Sequence, residues 1–191
     1  MSKRAAATEA TRRRIIDATR ALHGEQGIAA TSWEDIAKRA GVGVGTVYRH
    51  FPSLDELVPA CGEVSMEVVA LPDPQAAPAL FDGLAEAGDR IERLVGAAFA
   101  IYERGATDVL AMIREPDVHP AVTRAAQNME QSLTTLVDAA LDPLRATAED
   151  RRVARAMIDF GTWKAFRDRD LSPAAAVAAV AGMLACRLAS S

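Results

Sequence analysis

The stretch Thr31-Ser-Trp-Glu-Asp-Ile-Ala-Lys-Arg-Ala-Gly-Val-Gly-Val-Gly-Thr-Val-Tyr-Arg-His-Phe-Pro-Ser-Leu-Asp-Glu-Leu57 decides the fold. Thr31 and Glu34 have the spacing of a capping box, so a helix is expected to start there. It carries Ile36, Ala37 and Ala40 on one side and stops at Gly41. A second, short helix is expected from Val44 to His50. Two helices joined by so short a turn must cross closely, which demands a small residue at the contact; Ala37 supplies it. Gly41 gives the turn its tight backbone, and Val42, Val47 and Phe51 fill the angle between the helices. The pattern is that of a helix-turn-helix, whose second helix can enter the major groove of DNA.

Outward from this segment the signals remain helical. Ile15, Ala18, Thr19 and Leu22 form a stripe that ends near Gly24 and Gly27. After Phe51, Ser53 and Glu56 form a second capping box, and Pro59 is expected to kink the helix it opens or delay its regular start. Leu71 to Pro78 holds three prolines and cannot continue a helix. Beyond it, Ile91, Leu94, Val95, Ala98, Phe99 and Tyr102 recur at helical spacing until a break at Gly105. A long helix should follow the turn Pro116 to Pro120, another should run from Thr147 to Asp168, and a last one from Ser172 to about Leu188. No strand-like alternation of any length occurs. The expected class is therefore all-α, with about nine helices. Residues 1–57 form the helix-turn-helix domain and 58–191 a helical domain for ligand binding and dimerisation.

Composition narrows the function classes. The chain has 191 residues, half of them hydrophobic and a quarter charged, which is ordinary for a folded domain. Two distant cysteines, Cys61 and Cys186, give neither a disulfide framework nor metal-ligand spacing. No apolar run reaches the length of a membrane span, and the basic N-terminus leads into no signal-type apolar region. A soluble cytoplasmic protein is expected, with no membrane partner. The overall charge of −4 conceals an asymmetry: residues 1–50 carry nine Lys/Arg against five Asp/Glu, and the rest thirteen against twenty-one. A basic head on an acidic body points to an anionic partner for the head.

Other constellations carry less. Gly41-Val-Gly-Val-Gly45 is not a dinucleotide loop, because Thr46 stands where the third glycine belongs and no strand precedes it. His23, His50 and His119 have no paired spacing, so no metal is expected. Asp117 with His119, and Asp168 with Asp170, read as capping or solvated groups. There is no nucleophile elbow. No cofactor, catalytic residue or enzymatic activity is expected. The alternative to a DNA-binding regulator is a helical small-molecule-binding protein or enzyme whose helix-turn-helix serves packing or protein contact; Arg12, Arg13, Arg14 and Arg49 would have no use there.

The segment from about residue 10 to 57, above all Gly45-Thr-Val-Tyr-Arg-His-Phe51, closely resembles the DNA-binding segment of the TetR family of bacterial regulators. The resemblance implies a homodimeric transcriptional regulator, usually a repressor, that leaves a pseudo-palindromic operator when it binds a small ligand. Gly43 stands where the family often has Ser, and Leu54 where many members have a Lys close to a DNA phosphate. By position, Arg12, Arg13 and Thr31 are expected at phosphates, and Val44, Gly45, Thr46, Tyr48, Arg49 and His50 at or beside the recognition surface. Arg49 and Thr46 are suited to base edges, whereas Tyr48 and His50 suit the backbone.

For the remainder, a ligand pocket is expected from Phe99, Tyr102, Met112, His119, Met129 and Trp163, which would suit a hydrophobic effector with one or two polar groups. The helix from Ser53 to about Val69 is the expected lever between the domains. The dimer interface is expected at Val153, Met157, Val177, Val180 and Leu184, in a four-helix bundle with the symmetry mate.

Overall fold

The computed structural model describes residues 3–189, and among them there is no strand. Nine α-helices follow one another: α1 (Lys3–Gln26), α2 (Trp33–Ala40), α3 (Val44–His50), α4 (Leu54–Val69), α5 (Ala87–Arg114), α6 (Pro120–Leu141), α7 (Ala148–Met157), α8 (Phe160–Arg167) and α9 (Pro173–Ala189). Short 3-10 turns lie at Ala77–Phe81 and Asp142–Leu144. The break expected at Gly105 is present: its φ of −126° and ψ of 30° interrupt the helical backbone of α5. A Cβ placed on Gly105 would lie 2.5 Å from the Val69 side chain, so only glycine lets α4 and α5 meet there.

Two boundaries differ from the sequence reading. The helix expected over Thr147 to Asp168 is two helices, because Asp159 caps a new start by accepting from the Gly161 amide at 2.9 Å. The carbonyls freed at this break are taken up by the Tyr102 hydroxyl, which donates to Ile158, and the Thr162 hydroxyl, which donates to Ala156. Pro59 lies within α4 and does not divide it.

The chain forms two compact units, cut differently from a division at residue 57. The first holds the residues up to Val69 together with Gly105–Gln127, and the second holds Ala70–Arg104 together with the residues from Asn128 onward. The kink at Gly105 is one of the passages between them. In the first unit, Ile15, Ile16 and Leu22 of α1 pack with Ile36 and Ala37 of α2, Val47 of α3, Phe51, and Leu57, Cys61 and Val64 of α4. The end of α5 joins this unit through polar contacts. Arg20 donates to Asp108 at 2.9 and 2.7 Å, and Ser65 donates to the same carboxylate at 2.6 Å, so one half-buried acid ties α1, α4 and α5. Glu115 accepts from the Ile28 and Ala29 amides of the α1–α2 connection.

In the second unit, Leu133, Leu136 and Val137 of α6, Ile91, Leu94, Val95 and Phe99 of α5, and Ala176, Val180 and Leu184 of α9 are buried. The buried Arg90 has no carboxylate among its contacts; it donates to the carbonyls of Phe81, Leu84, Ala139 and Ala140, two of them at the C-terminal end of α6. A cation is favoured at a helix C-terminus, where carbonyls lack helical partners.

Candidate nucleic-acid interface

The helix-turn-helix is held by local chemistry. α2 begins one residue later than the sequence suggested: Ser32, not Thr31, is the N-cap, and its hydroxyl accepts from the Asp35 amide at 3.1 Å. The same hydroxyl donates to the Asp35 carboxylate at 2.6 Å, which holds that carboxyl below its usual range. Thr31 instead donates its hydroxyl to the Gly27 carbonyl at 2.7 Å. Gly41 closes α2 in the left-handed region at φ 66°, where a side chain would be strained. Gly43 caps α3 without a side-chain hydrogen bond.

With Val47 fully buried, α3 turns its other faces outward. Gly45, Tyr48 and Arg49 are exposed, and Val44, Thr46 and His50 half-buried. Arg49 carries no ion pair among the described residues, so its guanidinium is free for a ligand. Tyr48 is 45% exposed yet one face of its ring lies on Trp33, with centroids 4.8 Å apart. Sequence reasoning did not single out Trp33; its place in the first turn of α2, opposite the outer face of α3, is a consequence of the close helix crossing.

The arginines of α1 differ from one another. The Arg12 guanidinium lies over the Phe51 ring, 5.0 Å from its centroid, which places it beside the end of α3. Arg13 is shared between Asp17 at 3.2 Å and Glu67 at 3.9 Å. Arg14 is exposed without an ion pair among the described residues. The cation most available for a phosphate is therefore Arg14 rather than Arg13.

The residues expected to line a pocket separate between the units. Phe99, Tyr102, Met129 and Trp163 lie in the second, Met112 and His119 in the first. Tyr102 is fully buried and packs against Phe99, Phe160 and Trp163 with centroids 5.3–6.4 Å apart. The polar atoms expected to meet a ligand are already engaged. The Tyr102 hydroxyl donates to the Ile158 carbonyl, and burial pushes its pKa up. Trp163 donates its indole N–H to Glu103 at 2.8 Å. His119 pairs through Nε2 with Asp55 at 3.0 Å and accepts the Ala121 amide at Nδ1, so it caps α6. Met112 packs against the small cluster of Ile28, Val58 and Val122.

A groove of about 760 Å³ does open in the second unit, between α6 and the α7–α8 pair. It is polar. Arg151 is held by Asp138 and Asp142, and Arg155 by Glu130 and Asp159. None of the six expected pocket residues lines it.

Two of the expected dimer residues point into their own protomer. Val180 and Leu184 are 0% and 2% exposed within one protomer, because α9 packs them inward together with Ala176. Val153, Met157 and Val177 are half-buried. The outward face of α9 is Ala175, Ala178, Gly182, Met183 and Cys186.

Comparison with known proteins places this geometry. The family described as bacterial regulatory proteins of the tetR family matches residues 15–61, the helices packed around Val47 and Phe51. The transcriptional repressor KstR of Rhodococcus jostii (strain RHA1) is 52% identical over 42 residues, which are 22% of this chain and 20% of that protein. KstR of Mycobacterium tuberculosis (strain ATCC 25618 / H37Rv) is 42% identical over 66 residues, 34% of this chain and 30% of that one. The matches thus span a third or less of these relatives' own length. Among solved structures, a transcriptional regulator from Rhodococcus sp. Rha1 superposes with a TM-score of 0.65 at 18% identity, covering 92% of this chain and 94% of that one. The multidrug binding protein EbrR, solved with imidazole, gives a TM-score of 0.60 at 25% identity over 93% of each chain. The helix-turn-helix of this chain, residues 15–61, is thus similar to that of the tetR family of bacterial regulatory proteins, and its all-helical fold is shared with solved regulators over nearly the whole length.

Proposed function

We propose that this protein is a homodimeric DNA-binding repressor that leaves a pseudo-palindromic operator when its second unit binds a small hydrophobic effector. The observation that carries the reading is the outer surface of α3, where Arg49 stands unpaired beside Thr46 and Gly45 while Val47 alone is buried. A helix used for packing would turn more of its surface inward. The guanidinium matches guanine O6 and N7, and Tyr48, fixed by Trp33, suits the phosphate backbone. Half-sites are expected about one helical turn or somewhat more apart, as two-fold symmetry requires.

The repressor sense is supported by the KstR relatives, and the effector by the aromatic second unit and by the ligand-bound EbrR neighbour. Dimerisation is assigned to the outward face of α9, where Met183 is 47% exposed among small residues that allow close helix approach. The lever is the end of α5 with α4, since Asp108 and Glu115 reach both α1 and its connection to α2.

The test uses a duplex selected by the full-length protein from a random library. Affinity, read by fluorescence anisotropy, should fall steeply with salt. Arg49→Ala should cost about 1–3 kcal/mol and relax preference at one base position. An affinity flat between low and moderate salt would overturn the reading. An apolar effector should bind more weakly with the duplex present than without it; equal affinity would show that binding is uncoupled from DNA.

A further inference from the structure

α1 is longer than its packing requires. Its first buried residue is Ile15, yet the helix begins at Lys3, and every residue over 3–10 is exposed. These eight residues extend about 12 Å at 1.5 Å per residue. The sequence favours a helix without a docking face: Ala5, Ala6, Ala7 and Ala10 give propensity, and the Thr8 and Thr11 hydroxyls donate back to the Arg4 and Ala7 carbonyls at 3.0 Å. Over 3–14 the only acid is Glu9, against Lys3, Arg4, Arg12, Arg13 and Arg14. Lys3 and Arg4 make no ion pair among the described residues.

The chemistry of this extension selects its partner. A helix meant for a protein groove presents large apolar side chains at i, i+3, i+4 and i+7, and one meant for a membrane surface presents Trp, Phe or Leu. Residues 3–14 hold no apolar side chain larger than alanine. What remains is positive charge on a slender rod. Its root is fixed too: Arg12 lies over Phe51, the residue that caps the C-terminal end of α3, so the extension leaves the unit beside the recognition helix.

We propose that residues 3–10 form a second DNA-contacting element, lying along the sugar–phosphate backbone of the duplex that flanks each half-site, with Lys3 and Arg4 as its phosphate contacts. The proposal rests on the DNA-binding reading of α3 and adds a region of duplex that the helix-turn-helix does not reach. Twelve ångströms of B-DNA present about seven phosphates, so two cations find partners without any base sequence being required.

The experiment uses the selected duplex trimmed to its protected core, and the same core lengthened by about four base pairs on each side. Full-length wild type should bind the lengthened duplex more tightly, and the K3A/R4A double variant should lose that increment while matching wild type on the core. The salt dependence on the lengthened duplex should be shallower by about 0.9 for each lost contact, or about 3.6 for two cations in each of two protomers. Alanine raises helix propensity here, so the variant folds; K3E/R4E should deepen the loss. Equal binding of variant and wild type to the lengthened duplex would overturn the proposal and leave the reading of α3 intact. So would a change in mass by light scattering without dependence on the flanks, which would assign the helix to a second copy of the chain. Failure of wild type to select any duplex would overturn the DNA reading, and this proposal with it.

Discussion

Both units hold some arginines in ion pairs, but they differ in which helices carry unpaired cations. In the first, Lys3, Arg4, Arg14 and Arg49 point outward without ion pairs among the described residues, on α1 and α3. In the second, Arg151, Arg155, Arg167 and Arg187 are each held by carboxylates, and Arg90 is buried among four carbonyls. A neutralised arginine stabilises its own unit or stays neutral; an unpaired exposed one has little effect on folding and remains available to an anion. The unpaired cations on α1 and α3 are thus available to an anionic partner, whereas Arg151, Arg155 and Arg187 are occupied within the second unit. Substitutions can test that contrast on each side.

The largest effect is expected where α9 faces inward. Leu184→Arg places a charge and a larger side chain in the core of the second unit and should cost several kcal/mol, enough to lose the cooperative unfolding transition. Met183→Arg, one residue earlier on the same helix but exposed, should keep the thermal transition and give monomers by light scattering. A folded monomer from Leu184→Arg would show that α9 packs the other way round.

Next comes the carboxylate that joins three helices of the first unit. Asp108→Ala leaves the Arg20 guanidinium without its main partner in a site where Arg20 and Asp108 side chains are 15% and 10% exposed. Loss of about 3 kcal/mol is expected from denaturant unfolding, with DNA affinity reduced further than the stability loss explains. Asp108→Asn, which can still accept from Ser65 or Arg20, should recover part of both.

His23 adds a pH dependence to the same unit. It is buried on α1, and desolvation lowers its pKa from 6.5 to about 4. The unfolded chain therefore takes up a proton between pH 6.5 and 4 that the folded chain refuses. The stability is present above pH 6.5, falls as pH drops through that window by up to about 3 kcal/mol, and loses nothing more below pH 4. His23→Gln should flatten this part of a pH–stability curve. An unchanged slope would place the proton uptake elsewhere.

What could be read from sequence follows from how far apart the interacting residues lie. The helix-turn-helix was legible because Ala37, Gly41, Val47 and Phe51 act on one another within a few turns of chain, and each has a residue type that its position demands. Gly105 was legible for the same reason, as a helix breaker inside an apolar stripe. The second unit was not, because its decisive contacts join distant segments. Nothing local says that Tyr102 spends its hydroxyl on Ile158, 56 positions away, or that Arg90 serves carbonyls at Ala139 and Ala140. The inward turn of Val180 and Leu184 was hidden because α9 is apolar on nearly every face, so periodicity could not tell core from interface.

The smallest effect expected separates the two readings of where α2 begins. Thr31 and Ser32 are both hydroxyl residues, and the capping pattern fits either: Thr31 with Glu34, or Ser32 with Asp35. In the structure the Ser32 hydroxyl accepts the Asp35 amide and the Thr31 hydroxyl donates to the Gly27 carbonyl, outside the helix. An N-cap serine replaced by alanine leaves an early amide without its acceptor and costs about 1 kcal/mol. Ser32→Ala should therefore lower stability by about that amount through the helix start itself, whereas Thr31→Ala leaves the early amides of α2 as they are. The Asp35 carboxyl supplies an independent readout, because Ser32 is the first cause that holds it below its usual range. Its titration, followed by NMR, should move upward in Ser32→Ala and stay in place in Thr31→Ala. The reverse pattern would restore Thr31 as the cap and shift the first turn of α2, with the Trp33 ring that supports Tyr48, by one residue.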